Sequence, residues 1–534
     1  MKKIKKLACF TLAIVSAFSG LTACGANVPD DENTLEIYIG DFGYGTEWLN
    51  KENALFKEQQ WVKDKYGDNL NIPKIKMDSV KTKPIDLITS GTTSIDLFFS
   101  TVSAANDIQA HKSKFLNLKE GVFESKAEGE TLNVEDKMNE SYLESCKYTI
   151  NGDEIYAQIP WVDGYIGMMY NETVIQELLG ANVKMPNTSI EFLAMLEALS
   201  DAQPDKTKFT PIAVAGLDTD YWTLYFDALW RQYDGDEAYD NYFQGKYYDE
   251  EIGGLVNKDP RIAELPGRLK ALEFIEACLD DKYIADTASV IKFQDAQPGF
   301  LEGAGAFMVN GDWLINEVSA LADTFTDTIK VLKNPVLSSI ATDKCTTIES
   351  DTELSALIDA IDAGETSFEG VSPTDFETVK TARNCTTNVS GHYAFIPSYS
   401  KATELAQDFL KFLATDQAIE TFMAAGNGFS TAYKYDVKTA NPTLYDSFDD
   451  MQKTKLAIIE SGANLGPKKN YPLTYLGGLM AINQLRPLEH KFCLMKVNSN
   501  GSANGNYATA KQVYDANINY IKAELNNMII KAGM

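Results

Sequence analysis

Aromatic rings stand beside carboxylates at several points of this chain. Trp161 is two residues from Asp163, Asp312 directly precedes Trp313, and Tyr44 and Trp48 share a loop punctuated by Gly43 and Gly45. A ring face is apolar, whereas a carboxylate accepts hydrogen bonds from hydroxyl groups. Together they suit a neutral polyhydroxylated molecule such as a hexose. The loop glycines let the backbone approach a ligand closely, which favours Tyr44 as a contact. Trp48 either joins it or packs under the following helix. Asp96, inside a strand phrase, is either a ligand contact or a structural hydrogen-bond partner, with Ser100 and Thr101 just beyond it. Tyr221, Trp222, Tyr225 and Trp230 lie on one helical stretch, a spacing that mostly builds core, and Trp222 alone is carried forward as a candidate. Tyr393 opens a late strand, and His392 beside it reads as a satisfied buried or surface histidine. Tyr471 and Tyr475 are further aromatic candidates.

Covalent chemistry finds little support. There is no GxSxG elbow, no P-loop and no dinucleotide fingerprint, and Gly426-Asn427-Gly428 lacks the third glycine. Ser398 to Lys401 matches SxxK without its companion signals. His111, His392 and His490 are far apart, and no Cys/His cluster exists, so neither a metal nor a cofactor is expected. The cysteines show no CxxC pair; Cys345 and Cys385 flank one acidic segment and either pair or stay as free thiols. A glycosidase carboxylate pair remains open in a chain with 76 acidic residues.

The first residues carry an address. Lys2, Lys3, Lys5 and Lys6 precede an apolar run from Leu7 to Phe18, and Leu21-Thr22-Ala23-Cys24 comes next. That order is the layout of an export signal, with a run too short for a comfortable membrane span. The final four residues resemble the bacterial lipobox, whose cysteine is lipidated and becomes the first mature residue. The expectation is a signal peptide over 1–23, a lipid on Cys24, and a polar tether over 24–33 outside the cytoplasmic membrane. Cleavage leaves 511 residues, too many for one small core and enough for two lobes. Loss of the leader lysines takes the net charge from −28 to −32. Such a surface repels phosphate backbones and anionic headgroups, which argues against nucleic acid.

Short strands alternate with helices along the rest of the chain, the pattern of an α/β protein. Strands are expected at Thr34–Gly40, Ile95–Phe99, Glu154–Pro160, Tyr165–Tyr170, Ala304–Val309 and Tyr393–Pro397. Helices are expected from near Thr46, over Glu172–Leu179, across most of Ser189–Leu229, over Arg268–Leu279, after Ser400, and over Ala510–Lys531. The acidic stretch from Thr342 to Asn384 contains one helical stripe, Leu354, Leu357, Ile358 and Ile361.

Four phrases fall in one order: Ile95–Phe99, Ile159–Asn171, Phe300–Trp313 with its Asn-Gly-Asp-Trp ending, and His392–Ser400 followed by Ala406–Leu413. Behind a lipobox, this order resembles the carbohydrate-type (family 1) extracellular solute-binding lipoproteins of bacterial ABC importers, from about Thr34 to the C-terminus. The resemblance implies a two-lobed periplasmic-binding-protein-like α/β fold, with hinge crossovers near Gly164, Glu302 and Gly391. It implies an N-lobe of 34–164 and 303–391 and a C-lobe of 165–302 and 392–534. It also implies a carbohydrate ligand, a monomer without enzymatic activity, and the membrane subunits of an importer as partner. The candidate contacts are then Tyr44, Trp48, Asp96, Thr101, Trp161, Asp163, Trp222, Asp312, Trp313 and Tyr393. A receptor for peptides or another solute, and a surface glycoside hydrolase, are the alternatives.

Overall fold

The computed structural model describes residues 33–40, 43–77, 84–91, 93–100, 108, 111–150, 153–217, 220–319, 324–389, 392–462, 494–496 and 507–531. The chain opens with β1 (Ile37–Gly40), which pairs in parallel with β2 (Lys74–Met77) on one side and β3 (Leu97–Phe99) on the other. Ile37, Tyr38 and Ile39 are all fully buried, as expected of a central parallel strand covered on both faces. The helix Glu47–Glu58 covers this sheet, burying Trp48, Leu49, Glu52, Asn53 and Phe56. A hairpin of β4 (Lys147–Ile150) and β5 (Asp153–Tyr156) comes next, and β6 (Ile159–Pro160) completes this half of the sheet. The expected strand Glu154–Pro160 is therefore two pieces, because β5 pairs back on β4 while β6 pairs elsewhere.

The chain then passes into a second sheet through Trp161, Val162 and Asp163. β7 (Gly164–Asn171) is buried along its whole length. It ends in the helix Glu172–Leu179, capped by Asn171, whose side chain accepts from the Val174 N–H. The helix Ser189–Ala202, capped by Thr188, leads to β8 (Thr210–Ile212). Ser189–Leu229 is thus interrupted by a strand before the helix Asp220–Phe243 begins. Beyond a small hairpin of β9 (Lys246–Asp249) and β10 (Gly254–Asn257) comes the helix Pro266–Cys278. β11 (Gly305–Gly311) runs antiparallel to β7 and parallel to β8, and β12 (Ile329–Leu332) lies on β7's other edge. β13 (Thr387–Val389) shares that edge, pairing with the first residues of β7. β14 (Tyr393–Phe395) then returns to the first sheet between β3 and β6.

Two five-stranded sheets result, ordered β2-β1-β3-β14-β6 and β12-β7-β11-β8 with β13 beside β7. This corrects the expected lobe boundaries. Residues 303–391 do not join the first lobe, since β11 and β12 both pair with β7. Every residue of β7 and of β11 is buried, so each needs strand neighbours and a layer on both faces, and the two satisfy one another. No crossover therefore lies near Glu302. The segment after β14 stays with the first lobe as far as Tyr433, which bridges to Met138, while Ser430 bridges to Asp163. A last passage leads to the helix Asp450–Glu460, where Thr454 Oγ1 accepts from the Val331 N–H of β12. Among the described residues no helix is long and apolar enough to cross a membrane.

Candidate functional site

Three passages between the sheets converge, and the aromatic and carboxylate side chains sit at that convergence. Tyr44, in the loop after β1, lies at its centre. Its ring meets Phe429, Trp313, His392 and Trp161 edge-on, at centroid distances of 4.7, 5.2, 5.2 and 5.8 Å. The Tyr44 hydroxyl donates to Asp312 Oδ1 at 2.9 Å. Burial, then the neighbouring Asp312 carboxylate, push the phenol well above its ordinary range, so it stays a donor.

Asp312 is held from the second lobe as well. Its Oδ2 pairs with Lys455 Nζ at 2.9 Å, both side chains being completely buried. Its backbone carbonyl accepts from Gln452 Nε2 at 2.8 Å. Lys455 Nζ also donates to the Gly428 carbonyl at 2.9 Å, so one ammonium group ties the Asp450–Glu460 helix to both lobes. Next door, Trp313 packs against Gly43, where an added Cβ would sit 2.6 Å from the indole Cγ. Only glycine permits that approach. The Asn316 side chain donates to the Gly43 carbonyl, and Trp313 Nε1 donates to the Tyr221 hydroxyl at 3.2 Å.

The first-lobe wall is a tryptophan pair. Trp48 and Trp161 stack at 5.0 Å with an interplanar angle of 15°, and Trp161 Nε1 donates to the Ser100 carbonyl at 3.1 Å. Asp163 accepts from the Tyr142 hydroxyl, and its N–H donates to the Ser430 carbonyl at 2.9 Å. His392 touches Tyr44, Trp161 and Trp313. Burial lowers its imidazole to about 3, leaving it neutral near pH 7. The convergence therefore brings together rings, carboxylates and neutral polar groups, all of them buried in this structure. Among the described residues no group of three or more His, Cys, Asp or Glu side chains is arranged to hold a metal.

The profile of the bacterial extracellular solute-binding proteins matches residues 45–420. The chain belongs to that family. The solute-binding protein also shares its two-lobed α/β fold with solved structures of low sequence identity. The GacH receptor of Streptomyces glaucescens is 15% identical, with a TM-score of 0.54 over 92% of this chain and 98% of that one. A chitin oligosaccharide binding protein is 16% identical, with a TM-score of 0.56 over 92% and 99%. Maltose-bound MalE3 of T. maritima is 16% identical, with a TM-score of 0.54 over 93% and 99%. No curated protein matches the chain in sequence.

Within this solute-binding protein, Tyr44, Trp48, Trp161, Asp163, Asp312 and Trp313 come together, with Trp48 at the back of the wall. Three other candidates are placed elsewhere. Asp96 accepts from the Glu36 N–H at 3.0 Å and the Ser400 hydroxyl at 2.8 Å, ahead of β3 and away from the strand end that meets the cluster. The Tyr393 hydroxyl donates to Ser145 Oγ at 2.9 Å inside the first lobe, and it is His392 that faces the cluster. Trp222 is buried edge-on against Tyr225, whereas Tyr221, about 100° around the helix, reaches Trp313. Thr101, Tyr471, Tyr475 and Cys24 lie outside the described residues. Cys345 and Cys385 are free thiols.

His392, Phe429, Tyr221, Gln452 and Lys455 complete the site, and residue type alone does not single them out for that role. The histidine's place beside a strand-opening tyrosine at the return crossover is a usable signal. A lysine in the middle of an amphipathic helix carries none.

Proposed function

We propose that this solute-binding protein captures a carbohydrate, most suitably an oligosaccharide, between its lobes and delivers it to the membrane subunits of an ABC importer. The observation that carries the reading is the cluster of Tyr44, Trp161, Trp313 and His392 with Asp163 and Asp312, built from both lobes at their crossovers. Stacking rings take the C–H faces of a sugar, and paired carboxylates take its hydroxyls. The one charge pair of the cluster, Asp312 with Lys455, is buried and holds the two lobes together, which suits binding by closure rather than turnover. Structures of similar fold carry acarbose, maltose and chitin oligosaccharide in their names, which supports the same ligand class here. Lipidation of Cys24 supplies the anchor, and the tether of residues 24–33 leaves a monomer free to reach the importer.

The test is a thermal-shift screen of the mature protein against mono- and oligosaccharides, cationic peptides and other solutes, followed by product analysis. A sugar that raises the melting temperature in a concentration-dependent manner and is recovered intact supports the reading. Stabilisation by a peptide alone, or cleavage of the sugar, overturns it.

A further inference from the structure

Behind the Trp48–Trp161 pair lies a second polar feature, set in the first lobe. Glu52 is fully buried, and neither of its carboxyl oxygens has a hydrogen-bond partner. It lies one helical turn after Trp48, and Trp48 Nε1 is likewise buried and unpaired. Both residues line a cavity of about 20 Å³ together with Trp161, Phe422, Thr431 and Tyr433. That space has room for one water, for which roughly 10–15 Å³ and two to four polar partners are needed. A water there would accept from the indole N–H and from the O–H of a neutral carboxyl while donating to its carbonyl oxygen, so three orphaned atoms would be satisfied at once.

Among the described residues no cation faces Glu52. Of the residues around the cavity only Tyr433 titrates besides Glu52, and burial keeps its phenol protonated. On the helix Thr403–Phe412, Asp408 pairs with Lys65 and Lys411, and Glu404 pairs with Lys65. On the helix Asp416–Ala425, Asp416 pairs with Lys137, and Glu420 accepts from Tyr435 and Asn441. At the adjoining crossover Asp163 is taken by Tyr142. On Glu52's own helix, Glu47, Lys51, Lys57 and Glu58 are exposed. A carboxylate with no countercharge in an apolar chamber is costly, and the group stays protonated instead.

We propose that this chamber is a hydrated proton-binding site, in which the neutral Glu52 carboxyl and one water brace the Trp48–Trp161 wall, and that loss of the proton loosens the wall and weakens solute binding. An ionised Glu52 has to be solvated, which forces apart the ring that stacks on Trp161, and Trp161 in turn contacts Tyr44 at the cleft. The effect on affinity rests on the proposed cleft; the protonation state does not.

The experiment therefore has two arms on the mature, full-length protein. In the first, without solute, infrared titration from pH 5 to 10 follows the carbonyl band of protonated carboxylic acids. Asp234 and Glu317, both raised by burial, titrate at about 6. A band persisting above their titration in the wild type and missing in Glu52→Gln is the expected result. Its absence from the wild type overturns the proposal whether or not the variant folds. So does a crystal structure with the chamber dry. In the second arm, affinity for the sugar found by screening falls by up to about tenfold per pH unit once Glu52 ionises, and Glu52→Gln removes that fall. An unchanged pH profile in the variant overturns the coupling to the cleft. Failure to find a binding sugar removes the cleft reading and leaves the first arm to decide on the proton site.

Discussion

The Tyr44 hydroxyl reaches 2.9 Å to Asp312 Oδ1, joining the loop after the first strand of one sheet to the turn after β11 of the other. Their separation in sequence is 268 residues, yet they share one buried bond. Because Asp312 is simultaneously anchored by Lys455, the phenol docks on a fixed carboxylate. The bond is thus a contact between the two lobes in this structure.

Tyr44→Phe removes that bond while keeping the ring. A hydrogen bond to a charged acceptor contributes about 1.5–3 kcal/mol, so closure and sugar affinity are expected to fall roughly ten- to a hundredfold. Titration calorimetry measures the loss, and small-angle scattering checks whether the ligand still compacts the particle. Unchanged affinity would show that closure does not depend on this contact.

Lys455→Met leaves Asp312 as an uncompensated buried charge. Breaking one side of a buried pair costs about 3–5 kcal/mol, read as a lower midpoint in urea. Combining it with Asp312→Leu is expected to recover much of that loss but not the sugar affinity. If the double variant is no more stable than the single, the pair is not the source of the penalty.

The two kinds of tryptophan should separate experimentally. Trp48 is 2% exposed and packed on Trp161, Phe99 and Phe422, so Trp48→Ala is expected to cost about 3–5 kcal/mol of stability. Trp313 is buried as well, at 7%, but between the lobes, so Trp313→Ala is expected to lower affinity in addition to stability, roughly tenfold or more for ~1.5–3 kcal/mol of lost contact. Melting temperature without ligand and dissociation constant with it distinguish the two outcomes. Equal affinity losses for both variants would merge wall and cleft into one core.

His392 sets an acid limit. Burial lowers its imidazole from 6.5 to about 3, so between those values the unfolded chain binds a proton that the folded protein excludes. Stability is therefore present in full above about pH 6.5 and is lost as the pH falls towards 3. Melting curves from pH 4 to 8 should show this slope, and His392→Asn should flatten it. An identical acid slope in the variant would assign the loss to other groups.

Cys24→Ala tests the anchor. The variant is expected to appear in the medium or to remain unprocessed, since a lipid-free leader product has no membrane attachment. Membrane fractionation with an intact-mass measurement decides it. Retention of the variant in membranes at mature length would remove the lipobox from the account.

Local order was legible from residues alone. The strand ending at Gly40, although it starts at Ile37 and not at Thr34, the helix Glu172–Leu179 and the final helix Ala510–Lys531 sit where the residues put them. So did the pairing of rings with carboxylates at Trp161–Asp163 and Asp312–Trp313, because adjacency in the chain survives folding. What stands opposite each element was not legible. An all-buried strand such as Gly305–Gly311 has the same apolar character whichever sheet receives it, and only its antiparallel register with β7 placed it in the second lobe. His392 and Tyr393 are neighbours whose side chains point to opposite faces, so the choice between cluster and core waited on the direction of β14. Lys455 looks like any helix lysine until the fold buries it against Asp312. Periodicities and the kinds of side chain on offer depend on near neighbours, so the chain displays them before it folds. Which of those side chains meet is a tertiary matter, because burial and strand pairing are settled between segments hundreds of residues apart.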